Sequence, residues 1–204
     1  MARPAQADSE ATRQKLIDIA LPIFARFGYL GASTRGIAQE AKLNGALINH
    51  YFGGKRNLYE ACVDDVYRRL SLRIGRELQG ITPTDLELLM TKLYAAARAE
   101  RDGVRLLVRE VLDLGHLTPF TESKHYLPEL ADATRNTARL IGVPAETART
   151  AAIAMGYMIS RYVIQDDKSL VTAFGVRSVK EAHARVVTTL VTTLRALLGR
   201  PHHH

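Results

Sequence analysis

The chain has 204 residues, a formal net charge of +7 and an isoelectric point near 9.7, with 47% hydrophobic and 24% charged residues. This composition excludes the disordered and collagen-like classes, and no apolar run approaches the ~20 residues of a membrane span. The single cysteine, Cys62, excludes an internal disulfide framework and a multi-cysteine metal site, and the basic balance suggests a polyanionic partner without choosing nucleic acid over a membrane surface.

Residues 1–8 read as a flexible N-terminal tail. A helical pattern opens at Asp8 or Ser9, with Leu16, Ile17, Ala20, Ile23, Phe24 and Phe27 at three- and four-residue spacing and Gly28 as its stop. Pro22 inside that pattern removes a backbone hydrogen bond and predicts a bend. Ser33 or Thr34 caps a short helix through about Ala41, and Asn44 caps another from Gly45 to Tyr51. After Gly53-Gly54 a long helix runs from Lys55 to about Gln79, and Gly80-Ile81-Thr82-Pro83 marks a boundary. Helices are then expected from Thr84-Asp85 to about Arg101 and from Gly103 to Leu114. Pro119, Pro128 and Gly142-Val143-Pro144 punctuate the remainder of the chain. Pro144 opens a helix to about Ile164, and residues 166–177 read as a loop. Ser178-Val179-Lys180-Glu181 has the capping-box pattern and opens a last helix to about Leu198. The expectation is an all-α chain of about nine helices, with no strand alternation, no repeat, and no spacing that suits a metal or cofactor. His202-His203-His204 reads as a purification-tag remnant over residues 201–204, the start of the chain shows no secretory signal, and a cytoplasmic setting is expected.

The informative stretch runs from Ser33 to Lys55. Two short helices joined by Ala41-Lys42-Leu43-Asn44 form a helix-turn-helix candidate, with an apolar seam of Ile37, Ala38, Ala41, Leu43 and Ile48. The second helix would present Gly45, Ala46, Leu47, Asn49 and His50 to a major groove. Such geometry also occurs in ordinary helical cores. Gly54-Lys55 resembles the end of a phosphate loop, but Asn49 stands where the earlier glycine belongs and Arg56 where a Ser or Thr belongs.

From about Thr12 through Tyr59 the chain resembles the TetR family of one-component bacterial regulators. The resemblance rests on Phe24-Ala25-Arg26-Phe27-Gly28, the pair Ile37-Ala38, Phe52, Lys55 and Leu58. Two departures stand out. Lys42-Leu43-Asn44 replaces the family's usual Gly-Val-Ser, and Ile48-Asn49-His50-Tyr51-Phe52 swaps the two rings of a branch that reads Ile-Asn-Tyr-His-Phe-Gly-Gly-Lys. The resemblance implies a DNA-binding domain over residues 9–54, a connecting helix over 55–80 and a ligand-binding and dimerisation domain over 81–200.

Single residues can then be given roles. Thr34, at a helix N-terminus, suits a phosphate, and Arg35 aligns with a position that reads guanine in some family members. Leu47 suits a thymine methyl and Asn49 an adenine, while His50, Tyr51 and Lys55 suit the DNA backbone. Arg35 fits a solvated surface charge equally well, and Asn49 a local backbone bond. One reading head covers few base pairs, so a homodimer on a two-fold operator is expected. The family resemblance places its interface on the last two long helices, where Ala152, Gly156 and Ser160 recur at four-residue spacing. A pocket for an unknown small-molecule effector is implied by the same resemblance. Its candidates are Tyr94, Arg109, Glu110, His116, Tyr126, Tyr157, Met158 and Arg161, with His125 and Tyr162 beside them; each also fits a core, ion-pair or surface role. The function expected is a sequence-specific regulator, a repressor released by its ligand. A small helical enzyme or ligand carrier with a basic surface is the alternative.

Overall fold

Ten helices account for nearly all of the described residues, which in this computed structural model are 4–82, 84–114 and 126–199; no strand occurs among them. Their contacts divide the chain into two compact units. The first holds residues 1–68 and 102–122, the second residues 69–101 and 123–204.

In the first unit, α1 (Pro4–Gly31) starts four residues before the expected Asp8, so the proposed tail is helical from Pro4 onward. Proline suits that first turn, where an N–H has no intrahelical partner anyway. Gly28 does not end the helix but kinks it, at φ 71° and ψ 174°, and one further turn follows. Phe27, expected in the apolar stripe, is exposed on the far side of Pro22, with the Arg26 guanidinium 5.1 Å from its ring centroid. Helices α2 (Thr34–Ala41), α3 (Ala46–Phe52) and α4 (Lys55–Glu77) come next, the last running from this unit into the second. Leu16, Phe24, Ile37, Ile48, Leu58, Val63 and Val66 are fully buried here, and the Tyr59 ring takes edge contacts from Phe24 and Tyr29. The unit also contains most of α6 (Arg101–Leu114). Gly103 permits its close approach to α4, since a Cβ there would stand 2.9 Å from both methyls of Val66.

The second unit contains α5 (Leu86–Ala99), α7 (Tyr126–Ile141), α8 (Ala145–Ile164), α9 (Asp167–Phe174) and α10 (Val179–Leu197). Helix α10 packs on α5, α8 and α9, and α8 also packs on α5 and α7. Side-chain caps fix three of these starts. Asp85 accepts from Leu88 N–H, Asp166 from Ser169 N–H and Ser178 from Glu181 N–H. The Glu181 carboxylate takes the Arg177 N–H in turn, so the expected cap at Ser178 forms with its return bond shifted one residue upstream.

Helix α9 corrects the expected loop. Asp166 caps it, Gly175 (φ 62°) closes it in left-handed geometry, and Leu170 buries completely between those ends. Helix α7 crosses the expected break at Pro128 because that proline falls in its first turn. Among the described residues no helix is long and apolar enough to cross a membrane.

Candidate nucleic-acid interface and effector cleft

The two short helices of the first unit are held by caps and by one tight crossing. Ser33 Oγ accepts from Gly36 N–H at 3.0 Å, and Asn44 Oδ1 accepts from Ala46 N–H at 2.9 Å, the capping chemistry that Asn44 was expected to retain. At the turn, Lys42 adopts φ 53°, ψ 41°. Its N–H bonds the Gln39 carbonyl while the Leu43 N–H reaches the Ala38 carbonyl. This is the usual left-handed helix terminus, normally glycine's place, here taken by lysine, the one positive-φ residue besides glycine among the described residues. A Cβ on Gly45 would stand 3.9 Å from that of Ala38, so small residues on both sides let α2 and α3 approach.

Burial sorts α3 into two edges. Ile48 and Phe52 face the core, and the Arg13 guanidinium lies 5.0 Å from the Phe52 ring centroid. The sequence-selected residues occupy the other edge. Arg35, Asn44, Gly45, Ala46, Asn49 and His50 are exposed, and Thr34, Leu47, Tyr51 and Lys55 are half-buried. His50 and Tyr51 stack edge to face with centroids 5.0 Å apart, so the two rings whose order departs from the family branch form one aromatic unit. Lys55 Nζ sits 4.5 Å from the Tyr29 ring centroid, which holds its charge against the end of α1.

The proposed effector residues divide between the two units. Arg109 and Glu110 lie on α6 in the first unit, where Arg109 donates to the Arg26 carbonyl at 2.8 Å and pairs with Asp113 at 3.6 Å. Tyr157 and Arg161 are exposed on α8 of the second unit, and Met158 is half-buried beside them. His116 and His125 lie outside the described residues, as does the Tyr126 side chain; Tyr162 faces Phe174 at 6.0 Å between ring centroids. Tyr94 lines a cleft of the second unit. That cleft, about 710 Å³, runs between α5 and α10 of the second unit past Glu87, Thr91, Arg98, His183, Thr188 and Arg195.

Its floor carries a closed polar network that sequence reasoning missed. The Tyr94 hydroxyl and His183 Nδ1 are 2.9 Å apart, His183 Nε2 is 3.3 Å from Asp167, and Arg98 bonds Asp167 at 3.1 Å. Burial raises the Tyr94 pKa, and burial together with the Arg98 charge lowers that of His183. The available signal was the i, i+4 pair Tyr94 and Arg98 on one helix, with Asp167 at the start of a helix that periodicity did not reveal.

Residues 16–62 match the family model described as bacterial regulatory proteins, tetR family. The chain is 38% identical over 69 residues to the HTH-type transcriptional regulator BetI of Vibrio vulnificus, covering 34% of this chain and 35% of that protein. It is 31% identical over 111 residues to the HTH-type transcriptional repressor SCO4008 of Streptomyces coelicolor, covering 54% and 55%. The matches thus span between about a third and a half of these curated relatives. Two solved structures share the whole fold. A TetR-like transcriptional regulator from Rhodococcus sp. RHA1 superposes with TM-score 0.64 at 19% identity, covering 93% of this chain and 97% of that one. A tetR-family transcriptional regulator from Streptomyces coelicolor superposes with TM-score 0.63 at 23% identity, covering 92% and 80%. The helix-turn-helix lies inside the segment that matches the tetR family of bacterial regulatory proteins, and the all-helical fold of the chain is similar to that of these two structures.

Proposed function

We propose that the protein is a sequence-specific DNA-binding transcriptional regulator that acts as a homodimer on a two-fold operator. The observation that carries this reading is the exposed edge of α2 and α3. Arg35, Asn44, Gly45, Ala46, Leu47 and Asn49 lie along it, while Ile48 and Phe52 lock the same helix to the core. Arg35 would address guanine through its forked donors, Leu47 a thymine methyl and Asn49 an adenine edge. Thr34, His50, Tyr51 and Lys55 would hold phosphates and set the register.

The dimer would form through α8 and α10. On α8, Ile153 and Tyr157 are each 55% exposed beside Ala152 and Gly156, and beyond its own stretch of helix no atom of the described residues lies within 4 Å of a Cβ placed on Gly156. An uncovered apolar strip with a smooth centre suits a symmetry-related helix. The cleft between α5 and α10 is the candidate effector site, since its volume and convergent polar groups suit a small molecule. Effector binding would change the spacing of the two reading heads through α4 and lower operator affinity, making the protein a ligand-released repressor.

Selection of bound duplexes from a random pool, followed by quantitative footprinting, tests the central claim. A dimer protecting a two-fold site is the expected result. Uniform binding to all duplexes at moderate salt overturns it.

A further inference from the structure

Helix α6 is seated on the first unit at two glycines. Near its start Gly103 meets Val66 of α4. Toward its end Gly28 of α1 lies under Arg109 and Asp113, where a Cβ would stand 2.7 Å from Asp113 Oδ2 and 2.9 Å from Arg109 Nε. Contacts this close leave no slack for a side chain on either glycine. Between them lies Glu110, only 3% exposed, with its Oε2 buried and lacking any hydrogen-bond partner.

Burial and two carboxylates of α4 oppose a negative charge on Glu110. From α4 it faces Glu60 and Asp64, with the Tyr59 phenol alongside. On its own helix, Arg109 donates to the Arg26 carbonyl at 2.8 Å and stands 3.6 Å from Asp113. On α1, the Tyr29 ring packs on Tyr59. An ionised, unpaired carboxylate in such a place is costly, whereas a protonated one is tolerated.

We propose that Glu110 is a proton-operated latch: protonated, it lets α6 stay seated on α1 and α4, and ionised, it loosens that seat and weakens DNA binding. The first half stands on this geometry alone; the second rests on the proposed DNA-binding function. Burial, Asp64 and Glu60 together push the Glu110 carboxyl up to about 7. Because its pKa in the seated state is raised, the seat is strongest below the ordinary glutamate range. It weakens as pH rises from there through neutrality. The signal therefore falls where modest alkalinisation changes the population of the seated form. The path to the reading head is short, for Arg109 grips α1 at Arg26, beside the Gly28 kink, and α1 packs directly on α2.

The test is amide hydrogen exchange of α6 in the full chain, measured between about pH 6 and about pH 8.5 after correction for intrinsic exchange, in the wild type and in Glu110→Gln. Affinity for a duplex that the wild type selects from a random pool is measured in parallel. In the wild type, α6 protection and duplex affinity should each fall about tenfold over that range, the part of the change that lies above about pH 6 when the seated carboxyl titrates at about 7. In Glu110→Gln, α6 protection should be flat with pH, whatever affinity slope remains. Asp64→Asn removes a like charge and should move the wild-type transition to lower pH, which tests the latch if Glu110→Gln does not fold. An unchanged pH slope of α6 protection in Glu110→Gln, or an unmoved transition in Asp64→Asn, overturns the proposal. Absence of any selected duplex would instead remove the DNA-binding reading and leave the exchange result to decide the latch.

Discussion

The Tyr94 hydroxyl on α5 and His183 Nδ1 on α10 are hydrogen-bonded at 2.9 Å, and the Asp167 carboxylate on the far side of the ring sets the direction of that bond. A carboxylate only accepts, so Nε2 carries the proton toward Asp167, which Arg98 also binds, and Nδ1 accepts from the phenol. Three helices, α5, α9 and α10, are thereby tied by groups that each have a partner. Tyr94→Phe should cost about 1 kcal/mol in urea unfolding, the value of one partly buried hydrogen bond.

The same network sets a pH dependence. The His183 pKa is lowered on folding, so the folded state resists the proton that the unfolded chain accepts. Stability contributed here is present above the ordinary histidine range and is lost as pH falls through it. Thermal unfolding as pH falls below about 6.5 should show a smaller loss in His183→Gln than in the wild type.

Lys42 carries a conformational cost at the turn of the helix-turn-helix. Its φ of 53° belongs to glycine's preferred region, and an L side chain there is disfavoured by about 1 kcal/mol. Lys42→Gly should raise the urea midpoint by the equivalent of about 0.5 kcal/mol without changing the m-value, after the greater freedom of the unfolded glycine is subtracted.

Gly28 faces the opposite constraint. Its φ of 71° disfavours any side chain, and an added methyl would displace Asp113 and Arg109. Gly28→Ala should destabilise by about 2 kcal/mol. Adding Asp113→Ala should recover only part of this, because the backbone strain stays while the contact is relieved; a double-mutant cycle in denaturant measures the split.

At the proposed interface two arms separate affinity from specificity. Arg35→Ala removes an exposed side chain, so folding should be unaffected while discrimination at one base pair falls by about 1–3 kcal/mol. Lys55→Ala should weaken all duplexes alike and reduce the salt slope by about 1 per reading head. It should also cost about 0.5 kcal/mol of stability, through loss of the contact with Tyr29.

Gly156→Arg tests the proposed dimer. Open space surrounds that position within the chain, so the protomer should fold, and losing a mid-helix glycine favours the helix. Sedimentation should show monomers where the wild type shows dimers, with operator affinity reduced accordingly.

Much of this architecture is legible in the sequence where a side chain makes its own local bond. Ser33, Asn44, Asp85 and Ser178 sit where their helices begin because a hydroxyl, amide or carboxylate meets a nearby N–H. Periodicity also separates the outward edge of α3 from Ile48 and Phe52. It fails for α9, whose eight residues hold one fully buried apolar position and so offer no stripe. For the effector candidates, spacing tells which residues share a helix face but not which faces enclose a space. Glu110 shows this most clearly. Helical spacing marks it as near an apolar face, while its isolation depends on Glu60 and Asp64, some fifty positions earlier in the chain.

Cys62 gives the first unit a built-in clock. It is the chain's only thiol, fully buried on α4 with its sulfur 3.8 Å from the Ile17 carbonyl of α1. A thiol reagent can reach it only when those two helices part. The labelling rate of the unmodified protein therefore times the opening of the first unit by itself, with no probe to install and no second site to confuse the trace.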